Sequence, residues 1–214
     1  MNAPSPQEIV EHALRTSTSD DCVVIVHDST RANLRWANNT LVTNTVTDPY
    51  SLSVSANSTR SFVANLDSPG LKPAGWDDHA IPKLDSPTDI ALYELHIRDF
   101  SASDATVPAA HRGKYLAFTD GESAPMRHLK SLQKAGMTHV HLLPSYDFSS
   151  VNEAGCATPA IPGGAADATT QQAAVAATRD SDCFNWGYDP VHYNTPEGSY
   201  ATDTSNGAVR VREF

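Results

Sequence analysis

A short loop near the end of the chain carries the side chains best suited to chemistry. Residues 184–190 read F-N-W-G-Y-D-P, so aromatic rings, an amide and a carboxylate stand together in a turn-prone segment. Aromatic rings pack on the apolar C–H face of a pyranose, while amides and carboxylates hydrogen-bond to its hydroxyls. Asn185, Trp186, Tyr188 and Asp189 are therefore candidate sugar ligands. Taken alone, these residue types favour a simpler interpretation, in which Trp186 and Tyr188 anchor the loop to the protein.

Two pairs of side chains have the residue types of metal ligands. Glu94 and His96 are two positions apart, and so are His139 and His141. Zinc sites need three or four protein ligands, whereas an i, i+2 pair is the ordinary pattern of one face of a strand. We therefore predict packed strands at both places, with no metal site and no cofactor.

The charge of the chain limits the partners it can bind. The 214 residues carry a formal net charge of -10, whereas a nucleic-acid-binding surface needs a basic face. A nucleic-acid partner is excluded, and a neutral sugar is allowed. The sequence has no apolar run long enough for a membrane-spanning helix. Its first residues lack the basic and apolar regions of a secretory signal, which predicts a cytoplasmic location.

The cysteines are few. Cys22, Cys156 and Cys183 form an odd set without C-x-x-C spacing, which argues against a disulfide framework or a zinc knuckle. A single bridge between Cys156 and Cys183, across one loop, is the alternative to free thiols.

The start of the chain is predicted to form a helix, a strand and a hairpin. Residues 5–16 have apolar side chains at helical spacing, and residues 22–26 form a continuous apolar run. Residues 33–36 and 40–46 are two further strand candidates, joined by a turn at Asn38-Asn39.

The next stretch is predicted to be largely irregular. Short β candidates at 51–55 and 60–65 flank a polar turn at 56–58. Residues 67–89 then contain prolines and glycines at a density typical of a linker.

The second half of the chain alternates strand and helix. Residues 91–99 alternate cleanly between two faces, which predicts a strand. A helix is predicted over 123–135, with Ser123 as its N-cap and Gly136 after its last turn. Residues 138–143 form the next strand candidate, so the unit is strand, helix, strand with parallel strands.

The remaining segments lack a clear period. Residues 145–182 are predicted to form a long loop of a functional or disordered kind, with a short helix in the alanine-rich stretch 165–178 as the alternative. Residues 206–214 begin like a helix and the sequence stops inside it, which we interpret as truncation.

Several segments match one enzyme family in order. The F-N-W-G-Y-D-P loop differs by one residue from Y-N-W-G-Y-D-P, the signature of pullulanases and limit dextrinases, with Phe184 in place of tyrosine. The other matching segments are V-T-D-P-Y-S-L-S (46–53), L-K-P-A-G-W (71–76), L-Y-E-L-H-I-R-D-F-S (92–101), G-M-T-H-V-H-L-L-P (136–144) and E-G-S-Y-A (197–201). Residues 46–214 thus resemble the front part of a pullulanase-type α-1,6-glucosidase of the α-amylase family.

This resemblance implies an α/β fold. The expected architecture is an incomplete (β/α)8 barrel, with strands one and two and helix one only, preceded by a short β-rich remnant and a small α+β N-terminal segment. The implied divisions are 1–45 for that N-terminal segment, 46–66 for the end of a carbohydrate-binding-type β-domain, 67–89 for a linker and 90–214 for the front of the barrel. Two strands cannot close a barrel, so exposed edges predict marginal stability and aggregation.

The family's activity is retaining hydrolysis of α-1,6-glucosidic linkages in α-glucans by two carboxylates. The resemblance places Tyr188 beneath the sugar next to the scissile bond, with Asn185, Trp186 and Asp189 shaping that subsite. The family's catalytic carboxylates lie on later strands, so no catalytic residue is assigned and the chain alone is predicted to be inactive. Asp147 and Asp189 are interpreted as binding or loop-capping carboxylates.

The first 45 residues resemble a different family. Residues 9–14, 20–26 and 32–44 resemble the N-terminus of TldD/PmbA-type metallopeptidases, above all in R-W-A-N-N-T-L at 35–41. The family's H-E-x-x-x-H motif is absent here. We interpret the join near 45–47 as a fusion of two gene fragments, with an unusual N-terminal extension as the alternative. Two other functions stay open beside the enzyme fragment: a non-catalytic α-glucan-binding module, and a TldD/PmbA-like chimera with a protein partner.

Overall fold

Short paired strands make up much of the regular structure. Within residues 31–37, 40–48 and 50–214, which the computed structural model describes, eight strands form four two-stranded sheets. The strands are β1 Arg31–Ala37, β2 Thr40–Val46, β3 Ser53–Val54, β4 Ser61–Phe62, β5 Leu92–Leu95, β6 His139–Leu142, β7 Tyr146–Phe148 and β8 Pro190–Pro196. The α-helices in the same ranges are α1 Ala124–Lys134, α2 Thr170–Ala176 and α3 Gly207–Glu213. None of these helices combines the length and apolarity that a membrane crossing needs.

The predicted strand, helix, strand unit is confirmed. β5 and β6 pair in parallel, and α1 connects them. Ser123 caps α1 by accepting a hydrogen bond from the backbone N–H of Met126 at 3.4 Å, and Gly136 follows the helix with a φ of +104°. Glycine adopts this left-handed conformation without a steric penalty, which is why it stands just past a helix end.

β5 is shorter than the alternation predicted. The strand ends at Leu95, and the backbone N–H of Phe100 donates to the carbonyl of His96 at 3.0 Å. This turn replaces the second half of the predicted strand. It places His96 just past the carboxyl end of β5.

The predicted loop 145–182 contains more regular structure than expected. β7 lies at its start and pairs antiparallel with β8, a strand that the sequence reasoning did not predict. Because β7 has three residues and β8 begins and ends with proline, neither shows a readable alternation. The alternative of a short helix in the alanine-rich stretch is confirmed by α2.

The start of the chain is described only in part. β1 and β2 pair antiparallel, which confirms the two strands of the predicted hairpin. The helix predicted over 5–16, the strand over 22–26 and the turn at Asn38-Asn39 lie outside the described residues.

The helix predicted near the end of the chain is confirmed and packs on the β3–β4 pair. Asn206 caps α3, and its side-chain oxygen accepts from the backbone N–H of Ala208 at 3.0 Å. The Ser53 hydroxyl donates to the carbonyl of Gly207 at 2.9 Å. These contacts join the segment before the linker to the end of the chain.

A small aromatic core includes one residue of β7, Phe148. Its buried members are Ile97, Tyr115, Phe148, Val151, Tyr200 and Ala201. The Tyr115 and Tyr200 rings meet edge to face, with centroids 5.7 Å apart. The buried Tyr115 hydroxyl donates to the carbonyl of Glu197 at 2.9 Å, so its polar end is satisfied.

Candidate functional site

The loop of residues 183–189 displays two aromatic rings to solvent. Trp186 is 61% exposed and Tyr188 is 69% exposed. Phe184 instead faces inward, with its ring 5.3 Å from the imidazole of His96 and 5.2 Å from the Trp186 ring. Phe184 therefore anchors the loop, and the two rings that sequence reasoning considered as anchors are free to contact a ligand.

Hydrogen bonds within the loop hold its shape. The Asp182 carboxylate accepts from the backbone N–H of Phe184 at 2.8 Å, and the Asn185 side-chain oxygen accepts from the N–H of Gly187 at 2.7 Å. These are Asx-turn contacts, in which a short polar side chain replaces a backbone acceptor. The side-chain oxygen of Asn185 thus shapes the turn, a role that the residue type alone did not reveal.

The glycine in the middle of the loop is required by its surroundings. Gly187 has a φ of +85°, and a Cβ atom built there would lie 2.8 Å from the carbonyl oxygen of Pro144. A side chain is therefore unfavourable both for the backbone conformation and for the space available. This close approach seats the loop against the chain just past β6.

Asp189 is held by two serines. Ser149 donates to its Oδ2 at 3.1 Å, and Ser150 makes a second hydrogen bond to the same oxygen. Partial burial by itself raises the pKa of Asp189, but the hydrogen bonds from Ser150 and Ser149 outweigh burial and lower the pKa below its usual value. Asp189 is therefore an ionised carboxylate that fixes the end of the loop.

A disulfide closes the base of the loop. Cys156 and Cys183 are bonded to each other, which confirms the single bridge that the sequence offered as the alternative to free thiols. The backbone N–H of Cys183 also donates to the carbonyl of Ala157 at 3.0 Å. The first residue of the loop is thus fixed by a covalent bond and a hydrogen bond.

The structure adds two tyrosines that sequence reasoning missed. Tyr193 on β8 is 71% exposed, and its ring centroid lies 5.1 Å from that of Tyr146 on β7. The signal was weak because neither strand was predicted. Once β8 is known, the alternation of buried His192 and exposed Tyr193 identifies the outward face.

A buried ionic cluster includes one residue of β7, Asp147, and one of β8, His192. Arg210 bonds the Asp147 carboxylate at 3.3 Å and the Glu153 carboxylate at 2.8 Å, and His192 Nδ1 lies 2.7 Å from Asp147. Asp147 is 1% exposed, which leaves no free surface for binding a ligand. Its Oδ2 accepts from the Ser58 hydroxyl at 2.6 Å, a contact with the turn at 56–58 that agrees with the loop-capping interpretation. The sequence around Asp147 does not indicate that an arginine 63 positions further along the chain pairs with it.

This ionic cluster is structural rather than reactive. Asp147, Glu153 and Glu197 stand close enough together to hold a metal ion, but the Arg210 guanidinium supplies the positive charge for two of them. Backbone N–H groups of Phe148 and Ser199 donate to Glu197 at 3.1 Å and 2.8 Å. All of these side chains are buried, so a substrate cannot reach the carboxylates.

Comparisons with known proteins identify relatives of this chain. No protein-family model matches the chain. Over 174 residues it is 45% identical to "Pullulanase 1, chloroplastic" of Arabidopsis thaliana, and this alignment covers 78% of this chain and 18% of that protein. Over 210 residues it is 39% identical to a pullulanase of Klebsiella pneumoniae, and this alignment covers 79% of this chain and 19% of that protein. Most of this chain is homologous to a segment of the pullulanases.

Solved pullulanase structures contain the same segment. The crystal structure of PulA from Klebsiella oxytoca superposes with a TM-score of 0.75 at 38% identity, over 82% of this chain and 20% of that one. A Klebsiella pneumoniae pullulanase complexed with maltotriose gives a TM-score of 0.74 at 36% identity, also over 82% and 20%. This chain therefore spans about a fifth of the length of the pullulanases it matches. The resemblance of residues 1–45 to TldD/PmbA proteins gains no support from these matches and stays a prediction.

Proposed function

We propose that this chain is a segment of a debranching enzyme that hydrolyses α-1,6-glucosidic linkages, and that its part in the reaction is to hold the α-glucan. The observation that carries the proposal is the exposed pair Trp186 and Tyr188 on a rigid loop. Exposed aromatic rings fixed in place suit the flat apolar face of a neutral sugar. The pullulanase homology supports the same substrate class.

The position of the loop supports a barrel site. It contacts His96, which directly follows β5, and Pro144, which comes two residues after β6. In (β/α)8 barrels, substrates bind at the carboxyl ends of the strands. We therefore propose that β5, α1 and β6 are the first strand, first helix and second strand of an incomplete barrel, with the loop at its active face.

We assign binding rather than bond cleavage to this segment. Retaining glycosidases need two carboxyl groups that face the glycosidic bond. Among the described residues, Glu153 and Glu197 are close together, but they are buried and bonded to the protein's own donors. Asp189 is engaged by two serines. The chain by itself is therefore proposed to bind an α-glucan without hydrolysing it.

Titration with maltotriose tests the proposal. Tyr188→Ala removes an exposed ring, so the affinity falls by about tenfold or more, since aromatic contacts contribute roughly 1 kcal/mol beyond buried area. Trp76→Ala is the matched control, because Trp76 is 60% exposed and lies in the segment 67–89. The proposed function is wrong if the unaltered chain does not bind, or if Tyr188→Ala binds as well as the control.

A non-catalytic α-glucan-binding module is the second candidate. It makes the same prediction for Tyr188→Ala, and the inaccessibility of the paired carboxylates favours it for the chain alone. The two candidates are separated by incubating pullulan with this chain and, in parallel, with a longer product of the same gene, and by measuring the reducing ends that form. New reducing ends with the longer product support the debranching enzyme, and none with either supports the binding module.

A further inference from the structure

A second aromatic surface lies beside the loop, on the outward face of β8. Val191, Tyr193 and Asn194 are exposed there, whereas His192 and Thr195 are buried. The exposed members are apolar, aromatic or amide side chains without charge. Such a surface suits a neutral ligand with both C–H and hydroxyl groups.

The strand pairing displays Tyr193 in a specific way. Tyr146 is opposite Pro196, while the next residue, Asp147, is opposite His192. Tyr193, Asn194 and Thr195 therefore fall between these partners, in a bulge of β8. Bulges re-aim side chains and are common next to binding sites.

The ring of Tyr146 contacts the exposed ring of Tyr193. The two rings are tilted by 59° with centroids 5.1 Å apart. Partial desolvation first, and then the proximity of Tyr193, Tyr188 and Asp189, raise the pKa of the Tyr146 hydroxyl. Tyr146 and Tyr193 thus form one aromatic pair across the paired strands β7 and β8.

We propose that Tyr193, supported by Tyr146, is a second stacking platform that binds a more distant glucose unit of the same α-glucan held by Tyr188. The inference rests on the proposed function and extends it to longer glucans. Because the two rings belong to different elements, the loop 183–189 and β8, the proposal assigns them to different glucose units of one chain. The proposal places the glucose unit on Tyr193 beyond a maltotriose that is held by Tyr188, so only a longer glucan reaches both rings.

The proposal predicts an effect that depends on glucan length. Tyr193→Ala lowers the affinity for maltohexaose by roughly tenfold and changes the affinity for maltotriose by less than about twofold. Tyr193→Phe keeps the ring and binds both ligands like the unaltered chain. Trp76→Ala is again the matched control, and retained binding of maltotriose shows that Tyr193→Ala is folded.

Each other outcome overturns the second platform. Equal losses for both oligosaccharides mean that Tyr193 acts only through the structure of the loop. Unchanged affinities for both mean that Tyr193 does not contact the glucan. If Tyr188→Ala weakens maltotriose binding in either case, the proposed function stands and only this extension fails. If Tyr188→Ala has no effect, both fail.

Discussion

The imidazole Nε2 of His96 lies 2.7 Å from the backbone carbonyl oxygen of Asn185. The backbone N–H of Asp99 points at the other ring nitrogen, Nδ1, at 3.4 Å. Nδ1 is therefore the acceptor and Nε2 carries the proton that is donated to Asn185. The Tyr200 hydroxyl lies 3.2 Å from the same Nε2. A buried histidine thus ties the end of β5 to the loop that displays Trp186 and Tyr188.

Replacing this histidine tests whether it positions the loop. His96→Phe leaves the Asn185 carbonyl without its donor, at a cost of about 1–3 kcal/mol in unfolding free energy, and weakens maltotriose binding. His96→Gln keeps an N–H donor of similar reach and restores most of both losses. Denaturant titration and calorimetric titration measure them, with the exposed His139→Gln as the control. Equal affinities for His96→Phe and His96→Gln would show that the hydrogen bond does not matter.

Two glycines with similar backbone angles allow a matched test of the loop. Gly75 has a φ of +81° and open space around it, whereas Gly187 has a φ of +85° and faces the Pro144 carbonyl. Gly75→Ala therefore costs only the backbone strain, about 1–2 kcal/mol. Gly187→Ala costs more and also lowers the affinity for maltotriose. If the two variants lose the same stability, the contact with Pro144 imposes no constraint.

The disulfide is expected to stabilise the chain through its unfolded state. Cys156 and Cys183 are 27 positions apart, and closing a loop of this size contributes about 3 to 4 kcal/mol in the loop-entropy account. Adding a reductant therefore lowers the denaturant midpoint. The double variant Cys156→Ser, Cys183→Ser starts at the lower midpoint and does not respond to the reductant.

The same bond bears on where the protein works. Disulfides persist in oxidising compartments and are rare in the cytosol, so the cytoplasmic location is a prediction that needs its own measurement. Non-reducing mass spectrometry of protein trapped directly from cells measures the bond. Free thiols at both positions support the cytoplasm, and the bridged form argues against it.

Stability is expected to fall as the pH rises because of Glu197. Burial and the neighbouring Glu153 carboxylate raise the pKa of Glu197 from 4.5 to about 8. The folded chain therefore holds a proton that the unfolded chain releases near pH 4.5, and stability decreases from that pH up to about 8. The side chain in Glu197→Gln cannot titrate, so the pH dependence of the unfolding free energy decreases by the equivalent of about one proton. The substitution also removes one acceptor for a backbone N–H.

Unfolding curves at a series of pH values measure the slope. Glu122→Gln is the control, because the Glu122 side chain is 93% exposed and forms a surface ion pair with Lys130. This control keeps the pH dependence of the unaltered chain. An unchanged slope in Glu197→Gln would assign the dependence to another buried group.

Local sequence signals were enough for the elements that carry their own start, period and stop. α1 has a capping serine, an apolar stripe and a glycine in the left-handed conformation at its end, so it was predicted within one residue at each boundary. The strand candidates on either side were also found, although β5 ends at Leu95, before the predicted alternation does. The loop residues 184–190 were recognised because aromatic, amide and carboxylate groups are concentrated there.

Only the tertiary structure decided how those loop residues are used. The side-chain oxygen of Asn185 accepts a hydrogen bond within the turn, Phe184 packs inward, and Tyr188 is exposed. The residue types alone do not determine which of these side chains faces the protein and which faces solvent. Arg210 pairs with Asp147 across a long sequence separation. β7 and β8 pair through a bulge that the periodicity of the sequence does not predict. Such pairings depend on which distant groups share a low-dielectric interior, and a sequence pattern, being local, does not contain that information.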